Sequence, residues 1–280
     1  MNIETAINSA SKELKKRKIK TPLLDSEILM SKVLSKSREY IMLNLNMGLN
    51  ENNYRYFNRL VEERSKGKPI AYLTGTKSFW KYEFDVNENV LIPRPETELI
   101  IGAILKIYKN KPNIHFLDIG IGSGCILISI LKEKKNFIGT GIDISKECIK
   151  VTKKNANKLG LNRRIKLFKT DVDNFNFGKY DLIISNPPYI KKLDLKYLAK
   201  DVIDFEPKLA LDGGLAGLSE IRKVIKKSSE LMKKRGKLIL EIAFDQKYRV
   251  KKLLRNNGFY INTVIKDFSK KDRCIVSTKI

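Results

Sequence analysis

One histidine, one tryptophan and three cysteines serve 280 residues, and each scarcity removes a class of chemistry. With His115 the only histidine, a multi-histidine metal site is excluded and a His-centred catalytic triad nearly so. Lying in an apolar stretch, it reads as a structural residue. Cys125, Cys148 and Cys274 are odd in number, widely spaced and without a C-x-x-C pair. They suit a reducing cytosol with free thiols and supply neither a zinc site nor a disulfide frame, so no metal is expected. Acidic residues are scarce beside basic ones, 31 against 56, which leaves a formal net charge of +25. That imbalance invites a nucleic-acid partner. Only 13 of the basic residues are Arg, however, and the lysines spread along the whole chain. The surface therefore reads as solvated lysine, and direct nucleic-acid binding is not expected to be functional. No run of about 18 apolar residues occurs, so no membrane-spanning helix is expected. The lysine-rich start, Met1–Lys20, lacks the apolar core of a secretory signal, and a cytoplasmic protein is the expectation.

What is present divides the chain in three. Residues 1–70 show only helical spacing: Ile3, Ile7, Ala10 and Leu14 recur at intervals of four, three and four. Thr21-Pro22 places an N-cap before Pro at the first helical position, opening a helix that runs through Leu34. A third helix carries Tyr54, Phe57 and Val61 on one face and stops at Gly67 and Pro69. Together they predict a small helical bundle. Residues 71–95 turn to Gly, Pro and aromatic content, a connector with a short β-hairpin. Residues 96–280 alternate strands and helices, the pattern of a parallel α/β sheet. Strands are predicted at Ile114–Asp118, Phe137–Asp143, Ile165–Thr170, Tyr180–Ser185, Lys237–Ile242, Tyr260–Lys266 and Cys274–Lys279. A helix over Lys146–Leu159, capped by Ser145 and closed by Gly160, separates the second strand from the third. The last two strands are joined too tightly for a crossover and must pair antiparallel.

The first of these strands runs into Asp118-Ile119-Gly120-Ile121-Gly122-Ser123-Gly124 and an apolar helix, the context a nucleotide-binding turn requires. Where a dinucleotide fingerprint places its third Gly or Ala, this chain has Cys125, which argues against a pyrophosphate ligand. Asp143 ends the second strand, where a carboxylate can accept from both hydroxyls of a ribose. Asp171 and Val172 end the third, within reach of an adenine ring, although Asp171 equally suits a helix N-cap. An adenosine site without a phosphate cradle suggests S-adenosylmethionine.

The fourth strand delivers Asn186-Pro187-Pro188-Tyr189. Asn186 offers a side-chain carbonyl oxygen, and the prolines expose backbone carbonyls that no local N–H claims. Tyr189 adds a flat apolar face. Such a tetrad can hold a planar –NH2 group by both hydrogens, with its nitrogen lone pair toward an electrophile. Taken alone, the four letters are equally a rigid turn. Their position beside the glycine turn, at the carboxyl ends of a parallel sheet, favours the catalytic reading.

With these residues in hand, the chain resembles the release-factor glutamine N5-methyltransferases over nearly its whole length. The resemblance rests on Lys68-Pro69-Ile70-Ala71-Tyr72-Leu73-Thr74-Gly75 and Leu91-Ile92-Pro93-Arg94-Pro95-Glu96-Thr97-Glu98. It extends through the glycine turn, Ser185–Ile190, and Phe205-Glu206-Pro207 with Ala210-Leu211 and Gly213-Gly214. It implies a seven-stranded, Rossmann-like class I S-adenosylmethionine-dependent methyltransferase domain preceded by a helical domain that grips the protein substrate. It also implies that the methyl acceptor is the Gln of a Gly-Gly-Gln motif in class 1 peptide chain release factors. Carried over by position, Gly120, Ile121, Gly122, Ser123, Gly124, Asp143, Asp171, Val172 and Asn186 would touch S-adenosylmethionine. Asn186, Pro187, Pro188 and Tyr189 would hold the glutamine, with Asn186, Pro187 and Tyr189 catalytic. The chain departs from many relatives at Val172, where they carry an aromatic residue. Three other readings compete: an adenine-N6 nucleic-acid methyltransferase, a basic nucleic-acid-binding module without activity, and a dehydrogenase. The first would need a base-reading region that the helical, lysine-rich residues 1–70 do not resemble. The second leaves the intact glycine turn, Asp143 and Asn186 unexplained, and the third is weakened by Cys125.

Overall fold

The structure is a computed structural model that describes residues 1–111 and 113–280. It separates into two compact units, Met1–Thr76 with Ala199–Phe205, and Lys77–Leu198 with Glu206–Ile280.

The first unit is helical. Asn2 caps α1 (Ile3–Lys16) by accepting from the Thr5 N–H at 2.9 Å, and Ile3, Ile7, Ala10 and Leu14 are all buried. Thr21 stands at the N-cap of α2 (Pro22–Leu34), but its hydroxyl donates to Asp25 at 2.9 Å instead of accepting from the backbone. After α3 (Arg38–Leu43) comes α4 (Glu51–Ser65), which buries Phe57 and Val61 on the expected face. Pro69 then opens a further turn, α5 (Ile70–Thr74), so the helical unit reaches Thr76 and does not stop at residue 70. Helices this short show too few periods to be read from spacing. Inside the apolar cluster lies one buried ion pair, Arg64 Nε to Asp25 at 2.7 Å. The same guanidinium donates to the carbonyls of Gly67 and Lys68, which closes the exit of α4.

The second unit opens with a hairpin, β1 (Thr76–Phe79) and β2 (Tyr82–Asp85), and α6 (Glu98–Ile107). The alternation follows: β3 (His115–Ile119), α7 (Cys125–Glu133), β4 (Ile138–Asp143), α8 (Lys146–Lys158), β5 (Ile165–Lys169) and β6 (Tyr180–Ser185). Helix α9 (Lys200–Phe205) belongs to the helical unit. The chain ends with α10 (Ser219–Leu231), β7 (Met232–Glu241), α11 (Lys247–Asn256), β8 (Phe259–Lys266) and β9 (Asp272–Lys279). Seven strands form one sheet in the order β5-β4-β3-β6-β7-β9-β8. Its pairs are parallel up to β7, and β9 runs antiparallel to both neighbours, as the short last connection required. Helices on both faces bury it in two apolar clusters.

Two strand expectations change. Strand β7 starts at Met232, not Lys237, because a register shift opposite Tyr180 and Leu182 absorbs the polar residues between. His115 is exposed at the first position of β3, with its backbone N–H donating to Asp181 at 2.9 Å, so it belongs to no core.

Arg64→Ala strands Asp25 as a buried charge and frees two carbonyls. Denaturant unfolding is expected to report a loss of about 3–5 kcal/mol, and exchanging both partners for Met and Leu is expected to cost less.

Candidate active site

Chain order reverses between β3 and β6: from β3 the chain steps outward to β4 and β5, then crosses back to β6 on the other side. Loops leaving the carboxyl ends of these two strands diverge, and a crevice opens between them. The register pairs Ile119 with Ser185, and the Ser185 hydroxyl donates to the Ile119 carbonyl at 2.7 Å. Gly120 and Asn186 are the next residues on each strand, so the glycine turn and the tetrad start side by side.

A cavity of about 390 Å³ occupies this crevice. Its wall includes Gly120, Gly122, Asp143, Asp171, Val172, Asn186, Pro187 and Pro188. Ile121, Ser123, Gly124 and Tyr189 are not among the residues that line it. Gly124 answers to packing: a Cβ there would meet the Thr152 side chain at 2.7 Å. Gly120 and Gly122 share its positive φ, +76° and +54° against +80°, but have open space where a Cβ would point. Only glycine gives that combination of conformation and clearance.

Hydrogen bonding within the turn decides what ligand it suits. The N–H groups of Gly120 and Ile121 both donate to the Ile142 carbonyl, at 2.9 and 3.2 Å. Gly122 N–H donates to Asp143 Oδ2 at 3.0 Å, and Gly124 N–H to the Ile121 carbonyl at 2.8 Å. A phosphate cradle needs such donors free and aimed at the ligand. Here they are spent within the protein. Helix α8 holds the turn from below, with the Thr152 hydroxyl donating to Gly122 O and the Asn155 amide to Ser123 O.

Asp143 receives two backbone N–H bonds, from Gly122 and from Ser145 at 2.9 Å, and burial nonetheless raises its pKa. Each of its oxygens keeps a second lone pair for a hydroxyl donor. Asp171 accepts from the Asp173 N–H at 2.9 Å and so caps a short 3-10 turn while still facing the cavity. Asn186 donates its amide N–H to Thr97 Oγ1 at 3.2 Å. Thr97 donates in turn to Glu241 Oε2 at 2.7 Å, and the Tyr189 hydroxyl to Glu241 Oε1 at 3.1 Å. Glu241 is only 2% exposed, and burial pushes its pKa up to about 7. Tyr189 is pushed up as well, by burial and then by the Glu241 charge.

Several of these residues carry no local sequence signal of their role. Thr97 and Glu241 lie 144 positions apart and meet only in the fold. Glu206 accepts from the Ile92 N–H at 3.2 Å and pairs with Arg94, which ties the Leu91–Glu98 segment to the Pro207 wall of the cavity. Arg94, Thr97 and Glu206 lie in segments that carry the family resemblance, but nothing in the letters shows which residue each will meet. Asp118 is the most unusual: buried, with neither carboxylate oxygen hydrogen-bonded, and raised to about 7 by burial and the nearby Asp143. Burial also drives the Cys125 and Cys148 thiols up to about 12, which leaves them poor nucleophiles. Among the described residues no group of His, Cys, Asp and Glu is arranged to hold a metal, and no helix is long and apolar enough to cross a membrane.

Comparison with known proteins adds to this geometry. Residues 5–75 match the family described as PrmC N-terminal domain, and residues 97–267 the Methyltransferase small domain family. Over its full length the chain is 34% identical to the "Release factor glutamine methyltransferase" of Caulobacter vibrioides, covering 97% of that protein. The chain belongs to the release factor glutamine methyltransferase family. A protein of that same name from Clostridium acetobutylicum is also 34% identical, with 99% of it covered. Relatives named "Bifunctional methyltransferase" are longer, and the chain, 33% identical to that of Rickettsia conorii, spans 58% of its length. Among solved structures, a methyltransferase from Pyrococcus furiosus matches with TM-score 0.53 at 17% identity, over 79% of this chain and 98% of that one. A ribosomal protein L11 methylase from Lactobacillus delbrueckii matches with TM-score 0.51 at 19% identity, over 68% and 82%. They share the class I methyltransferase fold of the family.

The raised carboxyls give the family member a measurable pH signature. With its pKa near 7, folded Asp118 keeps a proton between roughly pH 4 and 7 that the unfolded chain has released. The stability this contributes is complete below about pH 4 and is lost as pH rises through about 7. Asp118→Asn is therefore expected to melt higher than the native chain by a margin that grows from about pH 5 to 8. Thermal melts across that range check it.

Proposed function

We propose that this chain moves a methyl group from S-adenosylmethionine to the side-chain amide nitrogen (N5) of the glutamine in the Gly-Gly-Gln motif of class 1 peptide chain release factors. The observation that carries the reading is the shared cavity: a glycine turn open to a ligand and Asn186–Pro188 of the tetrad flank it, on adjacent, register-locked strands. The names borne by full-length relatives support the glutamine substrate.

The cavity fits the donor. Gly120 and Gly122 leave room along the turn, Asp143 has lone pairs for a ribose diol, and Asp171 with Val172 flanks the space an adenine would take. When bound, S-adenosylmethionine supplies a methyl carbon made electrophilic by its sulfonium. The chain's own residues face a harder problem, because a carboxamide lone pair is delocalised into its carbonyl. No side chain here is suited to deprotonating it, and orientation must do the work. The Asn186 Oδ1 and the Pro187 carbonyl accept the two N–H bonds of the –NH2, and Tyr189, anchored to Glu241, ends the tetrad that presents them. As the N–C bond forms and the S–C bond breaks, with its electron pair left on sulfur, the nitrogen gains positive character. Both acceptors then bind it more strongly than in the ground state. The proton leaves to solvent after transfer. The helical residues 1–70 are assigned the task of gripping the release factor around its presented loop.

Mass spectrometry of a class 1 release factor incubated with the protein and S-adenosylmethionine is expected to show one added methyl on the Gly-Gly-Gln glutamine and none after Gln→Ala. Methyl appearing on adenine of added DNA instead would sink the reading. Asn186→Ala is expected to slow turnover by about 10²–10³-fold with little change in donor affinity. Asp143→Ala should weaken donor binding by about 1–3 kcal/mol in calorimetry.

A further inference from the structure

We propose that Thr97 and Glu241 are positioning residues for methyl transfer: they fix which end of the Asn186 amide faces the cavity. This rests on the reading of Asn186 as the acceptor that holds the glutamine –NH2. An asparagine side chain turned by 180° about its last bond exchanges its oxygen for its NH2 with almost no change of shape. In the wrong orientation it would present donors to a substrate group that is itself a donor. Packing cannot tell the two ends apart, so hydrogen bonding must.

The proton inventory around Asn186 does so. Above the pKa of about 7 to which burial raises it, Glu241 is ionised, and it then accepts and cannot donate. The Thr97 hydroxyl has one proton, and the 2.7 Å contact to Glu241 Oε2 consumes it. Toward Asn186, Thr97 Oγ1 can then act only as an acceptor, and it takes the amide N–H at 3.2 Å. The Asn186 carbonyl oxygen is left for the cavity. Both intermediaries are sealed from water, Thr97 and Glu241 each being 2% exposed, so no solvent molecule can substitute for a missing partner. The sheet enforces the meeting. Leu240 pairs with Ser185, which brings Glu241 beside Asn186, and Thr97 enters from the turn before α6. The other oxygen of Glu241 accepts from the Tyr189 hydroxyl at 3.1 Å. One carboxylate therefore ties down the first and last residues of the tetrad. Of the charged groups around it, Arg273 on β9 favours its ionised form, and Glu96 beside Thr97 opposes it.

The experiment uses the full-length protein with an intact release factor and compares Thr97→Val, Thr97→Ser, Glu241→Gln and Asn186→Ala. Thr97→Val keeps the shape and removes the hydroxyl. Its expected effect is a fall in kcat of about 10- to 100-fold with KM for the release factor, donor affinity and melting temperature near native values. Thr97→Ser, which restores the hydroxyl, is expected to stay within about threefold of native kcat. Glu241→Gln can donate as well as accept, so the inventory no longer selects one orientation, and about a tenfold fall in kcat is expected. Combining Thr97→Val with Asn186→Ala is expected to be no slower than Asn186→Ala alone, because both act through one side chain. Should Thr97→Val not fold, Glu241→Gln alone carries the test. Native kcat in either variant overturns the proposal while a slow Asn186→Ala leaves the glutamine reading standing. A Thr97→Val defect that follows lost donor binding or melting temperature overturns it too, since that marks a merely structural role. Native turnover in Asn186→Ala removes the tetrad from the mechanism, and the proposal with it.

Discussion

The parallel pairing of β3 with β6 is the constraint on which the rest of the larger unit depends. It joins strands that are distant in sequence, and it is the only rung of the parallel sheet where the chain must return across strands it has already laid down. Sliding β6 by one residue would turn each of its side chains to the opposite face. The buried bond from Ser185 to Ile119 opposes that slip at the last rung, immediately before the tetrad. The crevice, the adjacency of Gly120 to Asn186, and the reach of Glu241 from the neighbouring β7 all follow from this one register.

Three carboxyls stand at or near the carboxyl ends of the central strands: Asp118 on β3, Asp143 on β4 and Glu241 on β7. Burial raises the pKa of each, and Asp118 feels Asp143 as well. Their environments differ in what offsets the burial. Asp143 has two backbone N–H donors and Glu241 two hydroxyls, whereas neither oxygen of Asp118 has a hydrogen bond. The charge of Asp118 and of Glu241 thus changes around neutrality.

Regular features were legible in the sequence. Strand Tyr180–Ser185 and the start of α8 at Lys146 stand where alternation and the Ser145 cap put them. The glycine turn and the tetrad were legible because their chemistry is compressed into a few adjacent letters. Thr97, Glu206 and Glu241 were not, since each acquires its partner only through folding, from 144 positions away for Thr97 and Glu241 and 112 for Arg94 and Glu206. Short helices such as α3 and α5 escaped for a different reason: six and five residues span too little of a period to rise above composition. Val172 shows a third limit. Its position at the cavity was legible, but which atoms will cover the opposite face of a ring there depends on Glu220, Lys223 and Val224, brought up by a helix that follows much later.

The self-satisfied glycine turn has a consequence for selectivity inside a cell. ATP and the nicotinamide dinucleotides share an adenosine moiety with the proposed donor, and they differ from it by their phosphates. A turn with free N–H groups would reward those phosphates and admit such competitors. With Gly120 and Ile121 bonded to Ile142, and Gly122 bonded to Asp143, these three N–H groups offer an anion no compensation for leaving water. Asp143 adds repulsion from beside the loop. On the proposed reading, discrimination against the commoner nucleotides comes first from backbone donors withheld, with the Asp143 carboxylate beside them.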